Sequence, residues 1–177
     1  METLGTLLNS PMLASFVNRA SWMWPMCEIL HFVGMALLIG MVGVLDLRLL
    51  GVARGLPVAQ LQRLIPWGIF GFVISLMTGI IFVSGDVSAP PIDKLNNLAF
   101  ELKMLFMLLA GINVLAFYVT GVSRAVDAVG PGDDAPLSAK VIAAISLLLW
   151  IGVIYFGRMI MYQDDLYLHR FFVSAGP

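Results

Sequence analysis

A single cysteine, Cys27, and two histidines, His31 and His169, are all the thiol and imidazole that 177 residues contain. One cysteine excludes an internal disulfide and any multi-cysteine zinc or iron–sulfur site. Charge is equally scarce: 12% of residues are charged, and ten Lys and Arg against eleven Asp and Glu leave a net charge of -1. With no basic surplus and no basic patch interleaved with aromatics, the composition points away from nucleic acid. Also missing are a phosphate-binding glycine loop with its lysine, an HExxH pair and a serine in a nucleophile elbow. An enzyme acting alone is therefore not indicated. The first eighteen residues hold no Lys or Arg, and no small-residue cleavage site follows a short apolar core. No cleaved leader is expected, and the first span should direct its own insertion.

Apolar side chains are abundant instead. At 60% hydrophobic residues and a mean hydropathy of +0.94, a chain of this size cannot hide its apolar surface in a soluble core, so lipid must solvate it. The pattern predicts an all-α integral membrane protein, an antiparallel four-helix bundle forming one domain over 1–177. Its spans fall at about 25–45, 64–83, 98–120 and 139–162. Each is long enough to cross a hydrocarbon core of roughly 30 Å at about 1.5 Å per residue. Before them, Met1–Ala20 reads as a short interfacial helix starting at Ser10-Pro11, followed by Trp22 and Trp24 at an aromatic-belt position. Pro25 suits the first turn of span one. The links 46–63, 84–97 and 121–137 are short and polar or rich in Pro and Gly, and no internal repeat suggests an inverted-repeat transporter.

Basic residues near the span ends set the expected orientation. Arg48, Arg54, Arg63, Arg124 and Lys140 lie on one side, and Arg19, Lys94 and Arg170 on the other. Both termini should then face outward, into the periplasm if the membrane is a bacterial inner membrane.

Ionisable side chains inside spans need explanation, because each costs several kcal/mol in lipid unless it meets a partner, a cavity or a cofactor. His31 lies six residues past Pro25, Lys103 five past Leu98 and Arg158 five before Gln163. All three therefore fall within roughly 7–9 Å of the same, outer, surface. Snorkelling of Lys103 and Arg158 toward Glu28, Glu101, Asp164 or Asp165 is the plain reading. Convergence of an imidazole and two cations at one depth is the functional one.

Gly34 removes a side chain from nearly the same helix face as His31, so a flat macrocycle could lie against the backbone there. Lys103 and Arg158 could hold its propionates. This layout is that of a b-type haem with His31 as an axial ligand. His169 could cap the iron if the tail folds back, a methionine could do so, or two copies of His31 could share a haem in a two-fold dimer. Either a homo-oligomer or a subunit of a membrane redox complex fits such a site, with the lipid bilayer as solvent. A second chemistry uses Met23, Cys27 and His31, spaced i, i+4, i+8, as soft ligands for Cu(I). In a third reading the polar level is an interhelical lock in a structural or assembly subunit, with no cofactor.

The run His31-Phe-Val-Gly34 leading to Asp46-Leu-Arg48-Leu-Leu-Gly51, Phe100-Glu-Leu-Lys103 with Asn113, and Trp150 followed by Gly157-Arg158 resembles an uncharacterised family of bacterial four-span membrane proteins. That family is in turn distantly similar to the membrane domain of copper-resistance D-type proteins and to four-helix b-type cytochromes. The resemblance covers nearly the whole chain, implies the bundle, and marks His31, Lys103, Asn113 and Arg158 as matching positions. The chain departs from four-helix b-type cytochromes in having no histidine in spans two, three and four.

Overall fold

A computed structural model describes residues 11–85 and 91–165 of the chain. The start of the expected interfacial segment and His169 lie outside the described residues. The elements are α1 (Pro11–Val17), α2 (Met23–Leu49), α3 (Val58–Gln62), α4 (Ile65–Ser84), α5 (Pro91–Leu95), α6 (Leu98–Val119), α7 (Val122–Asp127) and α8 (Leu137–Met159). A 3-10 turn, Ile160–Asp165, follows α8, and no strand occurs among the described residues. Four segments are long and apolar enough to cross a membrane: Met23–Leu49, Val58–Ser84, Leu98–Val119 and Leu137–Tyr162.

Local chemistry explains the boundaries. Pro25 sits in the first turn of α2, where a missing N–H breaks no helical bond. The Asn97 side chain caps α6, its Oδ1 accepting from the N–H groups of Ala99 at 2.9 Å and Phe100 at 3.2 Å. Gly121, with φ of 77°, closes α6 in the left-handed conformation that favours glycine. The first span is longer than expected. Asp46 and Arg48 belong to the last turns of α2 rather than to a link, because both side chains are taken into the protein interior.

Interhelical contact decides how the helices associate, since lipid tails are as apolar as leucine and burial alone gives no drive. Helix α2 packs chiefly on α4 and α6 on α8, while α2 also touches α8. The α2–α4 contact is backbone to backbone. A Cβ on Gly34 would stand 2.6 Å from Ser75 Oγ and 2.7 Å from the Gly71 carbonyl oxygen. On the other pair, a Cβ at Gly152 would overlap the Phe106 ring, so this glycine is the socket for that phenylalanine. Two apolar clusters join the four helices: one around Leu38, Ala110, Trp150 and Val153, the other around Leu45, Leu49, Phe117 and Ala139. Large side chains such as Phe32, Leu108 and Leu148 point outward, as lipid solvation permits.

Beneath the second cluster, Arg48 is 0% exposed. Its Nε donates to the Leu56 carbonyl at 2.7 Å and its Nη2 to the carbonyls of Gly130 at 3.0 Å and Asp133 at 3.3 Å. One guanidinium therefore fastens both loops at this end, a geometry that suits its planar fork of donors. At the opposite end, side chains from other elements cap helix carbonyls: Lys94 Nζ donates to Phe82 O at 2.7 Å, Asn97 Nδ2 to Ile160 O at 3.1 Å and Asn18 Nδ2 to Gly85 O at 2.9 Å.

Candidate functional site

His31 lies on the face of α2 that meets α4. Its Nδ1 is 2.7 Å from Thr78 Oγ1. The Thr78 hydroxyl is itself 2.8 Å from the Ile74 carbonyl and 3.2 Å from that of Ser75, and a carbonyl can only accept. The single hydroxyl proton therefore goes to the backbone, so Oγ1 accepts from His31 Nδ1–H. This assigns the Nδ1 proton by the hydrogen-bond network, so that in the neutral ring it is Nε2 that carries the lone pair. Among the described residues Nε2 has no hydrogen-bond partner. Thr78 thus fixes the orientation of the imidazole ring.

Two glycines make room for the ionisable groups between the helices. A Cβ on Gly79 would be 3.8 Å from His31 Cε1, so the imidazole lies across the bare backbone of α4. A Cβ on Gly157 would be 3.6 Å from Lys103 Cε and 3.7 Å from its Nζ, so the lysine lies across α8 in the same way. The ammonium is near enough to act electrostatically on the imidazole. It has no hydrogen-bond partner among the described residues. Aromatic rings pack beside the imidazole: Phe82 meets His31 edge-on at 5.2 Å between ring centroids, and Trp24 meets Phe82 at 5.4 Å. Trp24 Nε1 donates to Glu28 Oε1 at 3.1 Å on its own helix.

Other expected members of the site lie elsewhere. Arg158 is exposed, with its Nη2 3.4 Å from the Tyr162 hydroxyl and its guanidinium over the Tyr162 ring. Its neighbour Gly157 faces Lys103, and one residue is about 100° around a helix, which turns Arg158 away from the interior. The space beside Gly34 is filled by Ser75 and Gly71 of α4, so that face holds a helix and not an opening for a macrocycle. Cys27 is a half-buried free thiol, and Met23 is half-buried as well. No hydrogen bond joins Cys27 to His31, and no group of three His, Cys, Asp or Glu able to hold a metal occurs among the described residues. Asn113 donates across helices from Nδ2 to the Ile142 carbonyl at 3.1 Å.

Sequence reasoning missed Thr78, Ser75 and the depth of Asp46 and Arg48. Ser75 and Thr78 are spaced i, i+3 in an otherwise apolar run, which places two hydroxyls on one helix face, and that was the available signal.

The surface at the Arg48 end is ordinary by contrast. Asp134 accepts from Lys140 Nζ at 2.6 Å and pairs with Arg54 at 3.5 Å. The Lys140 hydrogen bond, with Arg54 adding its charge, holds the Asp134 carboxyl below the usual carboxylate range. Compared with protein-family models, with curated proteins and with solved structures, the chain finds no match in any of the three.

Proposed function

We propose that this protein is an antiparallel four-helix membrane bundle that binds a b-type haem at the His31 level and serves as an electron-transfer or redox-partner subunit. The observation that carries the reading is the 2.7 Å bond from His31 Nδ1 to Thr78, which orients the ring and keeps Nε2 free to ligate. Donor chemistry fits in two respects and not in two others. An imidazole oriented by Thr78 could ligate iron through Nε2, and the Lys103 ammonium could pair with a propionate. Gly34 and Arg158 have no part in such a site, being occupied by α4 and by Tyr162. When bound, the group would supply a one-electron redox centre. The chain's own share is to orient His31, to bring the Lys103 charge within electrostatic reach of it and to pack Phe82 edge-on against the imidazole. The second ligand would come from outside the described residues or from a second copy. The balance of basic residues near the span ends supports a site toward the outer face, with both termini periplasmic in a bacterial inner membrane and the α1 region in the interface.

The same His31–Thr78 bond favours a second reading, an interhelical lock without a cofactor. Haem content separates the two. Protein expressed with ample haem and purified in detergent should carry the group in wild type and lose it in His31→Ala. Wild-type protein without haem, in which His31→Ala only lowers the unfolding temperature, would establish the lock. Cu(I) retained by wild type and lost in both Cys27→Ser and His31→Ala would move the assignment to copper.

A further inference from the structure

Helix α2 meets α8 along a seam that carries three polar side chains of its own, far along α2 from His31. Asp46 is 6% exposed, Ser146 5% and Trp150 9%. The Ser146 hydroxyl lies near the Asp46 carboxyl. Asp46 Oδ2 and Trp150 Nε1 each lack a hydrogen-bond partner among the described residues. Arg48, two residues further along α2, forms no ion pair with Asp46: its Nε and Nη2 bond to loop carbonyls, and its Nη1 has no hydrogen-bond partner among the described residues. Asp46 Oδ2 and Trp150 Nε1, of opposite hydrogen-bonding sense, thus go unanswered on facing helices, where native interiors answer nearly all such groups.

Helix geometry brings these atoms toward one another. Side chains lean toward the N-terminus of their own helix and cover the preceding turn. Trp150 is four residues after Ser146, so its indole leans back over the turn that carries Ser146. The start of α8 lies beside the end of α2, since Leu49 and Ala139 share a cluster, so Asp46 leans along the seam the opposite way, toward Trp150. We propose that the α2–α8 seam holds a bound water molecule that accepts from Trp150 Nε1–H, donates to Asp46 Oδ2 and bonds to the Ser146 hydroxyl. Three polar partners are the usual complement of a buried water. An indole N–H, which only donates, favours water over a metal cation at this place. The site stands whether or not haem binds at His31.

X-ray hydroxyl-radical footprinting of the full chain in nanodiscs, in water enriched in 18O, tests this directly. Radicals form from the water beside a residue, so a bound internal water labels a side chain that bulk solvent does not reach. Phe117, as buried as Trp150 at 9% exposure but set in an apolar cluster, is the reference. After correction for intrinsic reactivity, Trp150 should take up label several-fold faster than Phe117 and fall to the Phe117 level in Asp46→Leu. Should that variant fail to fold, Ser146→Ala should lower the Trp150 label several-fold. Trp150 labelled no faster than Phe117 in wild type, or a rate unchanged in the folded variant, would overturn the proposal.

Discussion

Thr78 Oγ1 lies 2.7 Å from His31 Nδ1 and spends its own proton on a backbone carbonyl, so one hydroxyl on α4 sets the tautomer of the imidazole on α2. Removal of this acceptor frees the ring to turn and to place its proton on Nε2. Thr78→Val should weaken haem binding by about 10–100-fold, the usual cost of losing an outer-shell partner, and Thr78→Ser should restore most of it. Haemin titration of the haem-free protein, followed by absorbance, reads both numbers. Equal affinity in Thr78→Val and wild type would separate the bond from ligation.

Gly34 and Gly71 allow α2 and α4 to touch through their backbones. Gly34→Ala places a methyl against the Gly71 carbonyl and Ser75 Oγ, and overpacking of this kind costs about 1–3 kcal/mol. Gly40→Ala is the control on the same helix, since nothing stands within 4 Å of its added carbon. Thermal unfolding in one detergent should show a clear drop for Gly34→Ala and none for Gly40→Ala.

Arg48 donates to three carbonyls from two loops while fully buried. Hydrogen bonds from a charged donor contribute about 1.5–3 kcal/mol each, so Arg48→Met should lower stability by several kcal/mol. Limited proteolysis should also begin to cut within residues 128–136. Arg48→Lys should behave like Arg48→Met, because an ammonium on a flexible stem cannot reproduce the planar fork.

Asp134 predicts a pH dependence whose sign follows from its partners. Its carboxyl titrates below the ordinary value because Lys140 and Arg54 favour the charged form. Its contribution is therefore present above the ordinary carboxylate pKa of about 4 and disappears as pH falls through the lower folded value. The gap in unfolding temperature between wild type and Asp134→Asn should be constant above about pH 5 and close under more acid conditions. A gap that widens on acidification would contradict the assignment.

The spans were legible because apolar runs of about 20 residues have one physical use in a chain with 12% charge. Proximity was legible in part: counting residues put His31 and Lys103 at one expected level, and the lysine lies near enough to act electrostatically on the imidazole. Direction around the helix axis was not. Counting gave Arg158 the same depth as Lys103, yet Gly157 takes the inward position and Arg158 turns to Tyr162. Gly34 suffered in the same way, since a missing side chain signals a close approach without saying what approaches. Thr78 escaped notice because a hydroxyl in an apolar run satisfies its own backbone as readily as a neighbour. Asp46 and Arg48 looked like a link because charge marks a span end in sequence, whereas the loops fold over the guanidinium and bury it.

The absorbance difference between dithionite-reduced and air-oxidised protein in nanodiscs, recorded for wild type and His31→Ala, tests the haem assignment most directly. Wild type should give a sharpened, shifted Soret band and resolved α and β bands on reduction, and His31→Ala should give a flat difference. A flat trace from wild-type protein produced with ample haem, or an identical spectrum from His31→Ala, would contradict the assignment.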